Sequence, residues 1–414
     1  MKRFLLLILI IITSSGVYPN DPKTIQISLL TVPPRDAEIY TVYGHSALRL
    51  QYNKTDAVLN WGTFDVDRKN FIINFIQGKT DYFLSAQPYT TFQQNYLDNN
   101  TQIIEQQLNI PDSLKIPLLR ELKTNLLPEN AEYRYNYFFD NCTTRPRNII
   151  ERYCGGTLSY PPQNERITLR DLVHKCTSPY PWMRFGIDLL IGSGADSLIS
   201  RRTELFLPEN LCLALAQSTV LTPDGRQLPI ILSTEKIMHR QEAQKHEKYS
   251  KKKHQPSLTE PLHVSILALF VFLITATWAI AKRRTVRLPF AILFLVMGVA
   301  GCIPAFLMLF SSHPCVSSNW NILWLNPLHL ICFAGFATTK KCRLIDLCFV
   351  LNFVALSVFI VARQWIPQTT DPACLPLAIC LWLGILTKIC VGRPRKPLPY
   401  PYIRKIWRNT ENAV

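Results

Sequence analysis

The sequence predicts an α+β domain followed by an all-α bundle of about five transmembrane helices. Three observations support this fold class. A basic and then apolar leader opens the chain, alternating strand and helix patterns occupy its first half, and five apolar segments occupy its last third. The hydrophobic content of 48% and the mean hydropathy of +0.07 are high for a purely soluble chain of 414 residues, which also favours a membrane part.

The leader has the layout of a secretory signal. Residues 1–3 are Met-Lys-Arg, residues 4–12 are apolar, and small residues follow at 13–16 near a possible cleavage site. An uncleaved anchor helix is the alternative, because this cleavage site is poor. Both interpretations carry the following segment across the membrane.

The segment up to about residue 234 has the composition of an ordinary α+β globular domain. Alternating apolar residues predict six strands, at 24–32, 41–52, 57–62, 82–87, 102–110 and 132–139. Helical periodicity predicts six helices, at 67–77, 91–97, 113–126, 142–153, 169–175 and 208–218.

Five apolar segments near the length of a bilayer span follow, at 262–281, 288–310, 322–338, 344–361 and 373–391. Lysine and arginine concentrate in the first and third connections and in the C-terminal tail, whereas residues 311–319 and 364–372 contain neither. The positive-inside rule therefore places the tail in the cytoplasm and the N-terminal domain outside, in agreement with the leader.

The charge and the cysteines exclude several classes of function. The net charge of +16 does not indicate nucleic-acid binding, because the basic residues cluster beside the apolar segments. The twelve cysteines form no CxxC pair, so we expect no metal site and no cofactor. A structural disulfide between Cys154 and Cys176 is one option if the compartment is oxidising, and two free thiols are the other.

Cys142 is the candidate nucleophile. It stands where the aromatic strand pattern of 132–139 ends and a predicted helix begins, after Asp140 and Asn141, which are residue types that cap helices. The positive end of a helix dipole favours the thiolate and supplies N–H groups for an oxyanion. Pro146 cannot donate to the carbonyl of Cys142, so we expect a loose or kinked first turn.

His45 is the candidate base, and Asn60 the candidate residue that orients it. Residues 53–56 have turn chemistry, so the strands that carry His45 and Asn60 are predicted to form a hairpin. Asp65 is the rival for the orienting role. Taken singly, His45 is better explained as a hydrogen-bonded buried histidine, and Cys142 as an inert buried thiol; it is the two residues together that favour catalysis.

Three further residues are candidates for substrate or oxyanion contacts. Tyr43 has a hydroxyl that suits an oxyanion, although core packing is the alternative. Asn141 lies next to the thiol. Arg145 is one turn further along and suits a phosphate, although a solvated helix arginine explains it as well.

A histidine that precedes the cysteine is the chain order of circularly permuted papain-like folds. The segments YGHSALRL (43–50), NWGTFD (60–65), FFDNCTTR (138–145) and LFLPENL (205–211) resemble the Lnb-type bacterial lipoprotein N-acyltransferases. The sequence departs from the expected pattern at Pro146, which puts the local backbone in doubt but not the Cys–His pair.

The resemblance implies a permuted papain-like (NlpC/P60-type) periplasmic domain on a multi-pass protein of the bacterial inner membrane. It further implies that a phospholipid donates an acyl chain to Cys142 as a thioester, and that the α-amine of a diacylated lipoprotein accepts it. A membrane-anchored cysteine peptidase or amidase acting on cell-wall peptides is the alternative. A non-catalytic transport or assembly subunit is less consistent, because Asp346 and Lys388 lie near span ends.

The implied domains are a signal peptide or anchor at 1–20, the papain-like catalytic domain at 21–239, a basic juxtamembrane linker at 240–260, the transmembrane domain at 261–392 and a basic cytoplasmic tail at 393–414. Lys251 to Lys253 lie on the outer side, either as a solvated linker or as a collar on anionic headgroups. The outer loop from His313 to Pro327 is a candidate roof or lipid grip, with an interfacial tryptophan belt as the alternative.

Overall fold

The computed structural model describes residues 21–35, 39–163, 166–238, 257–338 and 342–391. The leader, most of the linker with Lys251 to Lys253, and the tail lie outside this range. The described residues form two compact units. The first contains the N-terminal part of the chain together with Phe306–Asn319 and Pro367–Thr369, and the second contains Ser257–Ala305, Trp320–Ile366 and the chain from Thr370 onward.

The described part of the first unit has ten strands. They are β1 (Gln26–Val32), β2 (His45–Tyr52), β3 (Thr55–Thr63), β4 (Asp81–Pro88), β5 (Ile103–Leu108), β6 (Glu132–Arg134), β7 (Thr157–Ser159), β8 (Thr219–Leu221), β9 (Gln227–Pro229) and β10 (Ile231–Ile237). Seven form one sheet in the order β10-β5-β1-β2-β3-β4-β6, and β7, β8 and β9 form a small second sheet. Every pairing in the two sheets is antiparallel.

The hairpin of β2 and β3 is confirmed. Leu48 pairs with Leu59 and Tyr52 with Thr55, which leaves Asn53 and Lys54 as the two-residue turn. Asn53 has a positive φ of 50°, a conformation that asparagine tolerates better than most residues.

Nine helices of the first unit lie in its described residues. They are α1 (Phe71–Ile76), α2 (Tyr89–Leu97), α3 (Asp112–Asn125), α4 (Pro128–Ala131), α5 (Thr144–Tyr153), α6 (Leu169–Thr177), α7 (Pro181–Leu190), α8 (Arg201–Glu204) and α9 (Pro208–Leu215).

Helices cover both faces of the large sheet. Side chains of α3, α5 and α9 pack on one face in the main core, around Leu48, Leu59 and Trp61. Helix α2 packs on the other face, where Phe92 contacts the cluster that contains Ala47. The α+β class with an antiparallel sheet is therefore confirmed.

Several predicted elements have different bounds. The strand predicted at 132–139 ends at Arg134, because the side chain of Asn136 accepts the N–H groups of Phe138 and Phe139 and turns the chain. Helix α7 and strand β10 were not predicted; β10 is largely exposed and polar, so it lacks the alternation of a half-buried strand.

The second unit consists mainly of long apolar helices. They are α10 (Pro261–Lys282), α11 (Leu288–Phe310, whose last turn belongs to the first unit), α12 (Leu328–Ala337), α13 (Arg343–Ala362) and α14 (Cys374–Val391). Among the described residues, five segments have the length and hydropathy of membrane spans, which confirms the predicted number.

The third segment is not one continuous helix. A short 3-10 turn at Trp320–Leu323 is followed by Asn326 and Pro327, and the α-helix begins only at Leu328. The side chain of Asn326 accepts the N–H of Leu328 and donates to Asn352 at 3.1 Å. Proline after asparagine breaks the helix, and the asparagine side chain satisfies the groups that the break exposes.

Candidate active site

Cys142 lies in the turn immediately before α5, because the helix begins at Thr144, two residues later than predicted. The reason is Pro146, which has no N–H to donate to the carbonyl of Cys142. The first backbone hydrogen bonds instead run from Arg145 to Asn141 and from Arg147 to Thr143. Pro146 therefore occupies the first turn, where a proline costs little, and the thiol stays outside the helix but at its positive end.

Asn141 holds this turn in place. Its Oδ1 accepts the N–H groups of Thr143 and Thr144, each at 2.8 Å, and its Nδ2 donates to the carbonyls of Tyr137 at 2.8 Å and Phe206 at 3.1 Å. All four hydrogen-bonding positions of the amide are used inside the protein. The structure therefore places Asn141 as the residue that orients the cysteine turn.

His45 is the first residue of β2 and follows Gly44, whose φ is +78°. A Cβ at Gly44 would lie 2.6 Å from the carbonyl oxygen of Val32, so a larger residue does not fit there. The Nε2 of His45 donates to Oδ1 of Asn60 at 3.1 Å. Asn60 is buried on the returning strand of the hairpin, and it is the residue that contacts the imidazole.

A distortion of β3 brings the hairpin close to the thiol. The register between β3 and β4 shifts between Asn60 and Thr63, and Gly62 in this bulge has a φ of +91°. A Cβ at Gly62 would lie 3.6 Å from the Cβ of Cys142 and 3.2 Å from the ring of Tyr135. The glycine therefore permits a close approach between the strand and the cysteine turn.

The thiol and the imidazole shift each other's pKa. Burial alone raises the pKa of Cys142, but the charge of His45 and a hydrogen bond from it outweigh burial and lower that pKa. Burial alone lowers the pKa of His45, but its interactions with Cys142 and the hydrogen bond of Asn60 raise it. Both shifts favour a thiolate beside an imidazolium. Because Nε2 is bound to Asn60, Nδ1 is the ring nitrogen left for the sulfur.

Two residues that the sequence analysis did not single out also contact the sulfur. The hydroxyl of Thr143 lies 3.8 Å from Sγ of Cys142, and the backbone of Ser46 provides a further hydrogen bond that lowers the thiol pKa. The hydroxyls of Ser46 and Thr143 are 3.2 Å apart. Each residue directly follows a candidate catalytic residue in the sequence, and this adjacency is the signal that could have identified them.

The other candidates lie in different surroundings. Burial raises the pKa of Tyr43, which lies in a 3-10 turn before β2 near Cys176, and no contact joins it to Cys142. Arg145 makes a bidentate ion pair with Asp140 at 2.7 and 2.8 Å, and its guanidinium stacks 3.5 Å above the ring of Tyr133. The carboxylate of Asp65 accepts the N–H of Asp67.

All the described cysteines are free thiols, so the optional bridge between Cys154 and Cys176 is not formed. The thiol of Cys154 instead donates to the carbonyls of Glu151 and Gly156. Within the described ranges, no group of three or more histidine, cysteine or acidic side chains is arranged to hold a metal ion.

Two models of known protein families match the chain. The model of the Lnb N-terminal periplasmic domain matches residues 19–174, and the model of the Lnb transmembrane domain matches residues 253–394. No curated protein and no solved structure matches the chain. The first match contains Cys142, His45 and Asn60, and the second contains the five apolar segments. The chain is therefore a multi-pass membrane protein with a periplasmic domain, and it belongs to the family of Lnb-type lipoprotein N-acyltransferases.

Proposed function

We propose that this protein transfers a fatty acyl chain from a phospholipid, through a thioester on Cys142, to the N-terminal amine of a diacylated lipoprotein in the bacterial inner membrane. The observation that supports this reaction most is the meeting of Cys142, His45 and Asn60, which come from three separate segments. A thiol with a lowered pKa beside an oriented imidazole is suited to nucleophilic attack on an ester.

The first half-reaction acylates the thiol. The thiolate of Cys142 attacks the ester carbonyl of the phospholipid, and the carbonyl oxygen becomes an oxyanion. The backbone N–H of Cys142 donates to no other described residue, so it is free to stabilise this oxyanion. The intermediate collapses when the C–O bond of the ester breaks, and His45 gives its proton to the departing lysophospholipid.

The second half-reaction transfers the acyl chain to nitrogen. His45, now neutral, accepts a proton from the α-amine of the lipoprotein cysteine as that amine attacks the thioester carbonyl. The C–S bond then breaks and an amide forms, which restores the thiolate and the imidazolium. Asn60 holds Nε2 throughout, so Nδ1 remains directed at the reacting atoms.

The membrane helices have a direct role in this scheme. Both substrates are held in the bilayer, so a thiol that is anchored to the same surface meets them in a restricted geometry.

Complementation of cells that lack their own lipoprotein N-acyltransferase tests the proposal. The wild-type chain should restore triacylated lipoproteins, detected by mass spectrometry of N-terminal lipopeptides, and the Cys142→Ala chain should not. Release of cell-wall peptide fragments without lipoprotein acylation would instead support the peptidase interpretation.

A further inference from the structure

Helix α1 carries an exposed apolar patch. Within and just before this helix, Val66, Ile72 and Ile73 are 61%, 71% and 56% exposed, and Ile76 is 39% exposed. Four large aliphatic side chains within eleven residues are thus exposed, a concentration of the kind that marks an interaction site.

The C-terminal end of α1 is capped by the loop that follows the second apolar helix, α11. Ser311 donates from its hydroxyl to the carbonyl of Ile76 at 2.9 Å, and the backbone N–H of Ser312 donates to the carbonyl of Gln77 at 2.9 Å. His313 donates from Nε2 to the carbonyl of Phe75 at 2.6 Å. The carbonyls that a helix leaves unpaired are thus satisfied by residues 311–313.

These hydrogen bonds set the depth of α1 relative to a bilayer. Ser311 is the first residue after α11, a helix with the length and hydropathy of a membrane span. The last turn of α11 belongs to the same compact unit as α1, and its Leu309 and Phe310 are exposed. A helix that is hydrogen-bonded to the end of a span lies at the membrane surface.

Two exposed lysines flank helix α1, whereas Asp65 and Asp67 stand on either side of Val66, further from the helix. Lys69 and Lys79 stand before and after α1, are exposed, and form no ion pair with any other residue in the described ranges. Arg68, by contrast, is paired with Glu132. Unpaired lysines at the edges of an apolar face are typical of helices that lie in a membrane interface.

We propose that α1 is an interfacial membrane helix, whose patch of Val66, Ile72, Ile73 and Ile76 is buried in the outer leaflet of the bilayer. Lys69 and Lys79 then contact lipid phosphates.

An aromatic path leads from this helix to the thiol. The ring of Phe75 contacts Tyr137 with centroids 6.5 Å apart, and Tyr137 contacts Tyr135 at 5.5 Å. Tyr135 packs against Gly62, which adjoins Cys142. The rings of Phe75, Tyr137 and Tyr135 thus line an apolar route between α1 and Cys142. The acyl ester of a lipid bound at α1 follows this route to the sulfur. This use of the path rests on the proposed function, whereas the membrane contact itself does not.

Photocrosslinking of the full-length chain tests the membrane contact. p-Benzoylphenylalanine replaces Ile73 in one variant and Leu232 in the other. Leu232 is a matched control, because it is also 56% exposed but lies on β10. Both variants carry Cys142→Ala, so that the outcome is independent of any acyl transfer. Each is placed in nanodiscs of phosphatidylethanolamine and phosphatidylglycerol and irradiated.

We expect phospholipid adducts at position 73 and none above background at position 232, as measured by mass spectrometry of the crosslinked peptides. Adducts at neither position, or equal adducts at both, would overturn the proposal. A second variant, Ile72→Asp with Ile73→Asp, should slow acylation of Cys142 by phospholipid several-fold while leaving its alkylation by iodoacetamide unchanged. Equal slowing of both reactions would indicate a damaged site and contradict a membrane role.

Discussion

Two polar clusters within the first unit differ in how completely their groups are satisfied. Around Arg170, which is 1% exposed, all three guanidinium nitrogens donate, and five acceptors lie within hydrogen-bond distance: one oxygen of Asp188, both oxygens of Asp196 and the carbonyls of Ile191 and Gly192. Around Cys142, the thiol and the imidazole are partly exposed, and the backbone N–H of the cysteine donates to no described partner.

The Arg170 cluster has a structural role. The segment of residues 191–196 that it binds is also hydrogen-bonded to two later segments of the same compact unit: the N–H of Gly192 donates to the carbonyl of Cys315 at 2.6 Å, and the backbone N–H of Thr369 donates to Asp196 at 3.1 Å. A buried charge that is surrounded by hydrogen-bond partners stabilises one structure. Groups with an unpaired N–H and shifted pKa values, by contrast, remain available to react with a substrate. Four substitutions test this contrast.

The largest effect is expected for His45→Ala. In the wild type, the lowered pKa of Cys142 means that thiolate is present below the ordinary cysteine range of about 8.5. Without the imidazole, burial is the dominant influence and raises the thiol pKa above that range. The pH at which iodoacetamide modifies the Cys142 peptide should therefore rise, and acyl transfer should fall by about 10³-fold or more. An unchanged alkylation profile would show that the two groups are not coupled.

Arg170→Met should mainly affect stability. It removes the guanidinium from the carboxylate of Asp196 and from the buried carboxylate of Asp188, which retains His174 at 2.8 Å, so the free energy of unfolding should fall by about 3–5 kcal/mol. Arg202→Met is the control, because Arg202 is 54% exposed in its pair with Glu151, and should cost less than about 1 kcal/mol. Thermal unfolding in detergent measures both. If the Arg170→Met chain stayed stable but its Cys142 no longer reacted with iodoacetamide, the structural role of the Arg170 cluster would be contradicted.

Asn60→Ala should reduce acyl transfer roughly tenfold or more, because it removes the hydrogen bond that orients the His45 imidazolium, which is worth about 1.5 kcal/mol or more. The loss also lowers the pKa of His45, so the pH dependence of the reaction should shift to lower pH on its His45 limb. Asp65→Ala serves as the control and should leave the profile unchanged. A stronger effect of Asp65→Ala would transfer the orienting role to that residue.

Thr143→Val should have the smallest effect, a decrease of less than about tenfold, since its hydroxyl lies 3.8 Å from the sulfur and makes a weak contact. Thr143→Ser keeps the hydroxyl and should restore the rate. Equal losses in the two variants would assign the effect to the missing methyl group and to packing.

Most of the strands and helices of the first unit could be predicted from local sequence patterns. The alternation of apolar residues identified the six strands of the first half of the chain, and the turn chemistry of residues 53–56 identified the hairpin. Once that hairpin is given, extension of its register places Asn60 opposite Ala47, two residues from His45 on the same face of β2, so the two side chains are diagonal neighbours. The predicted start of α5 was two residues too early, although the proline at position 146 explains why the helix begins later.

Contacts between distant segments could not be predicted in the same way. The docking of residues 311–319 on α1 and on residues 189–193 depends on complementary surfaces that leave no periodic pattern. The interruption of the third apolar helix at Asn326 and Pro327 was not predicted, because the segment is apolar overall. The candidate roof or lipid grip beginning at His313 thus belongs in part to the first unit, where His313 packs on Phe75 and Tyr137.

The mass of the Cys142 peptide, after purified protein is incubated with a phospholipid of defined acyl chains, tests the proposed thioester directly. We expect an added fatty acyl group on Cys142 that hydroxylamine removes, that an acceptor lipopeptide with a free α-amine discharges, and that is absent in His45→Ala. A peptide that remains unmodified while the lipopeptide becomes N-acylated would contradict the covalent role of Cys142.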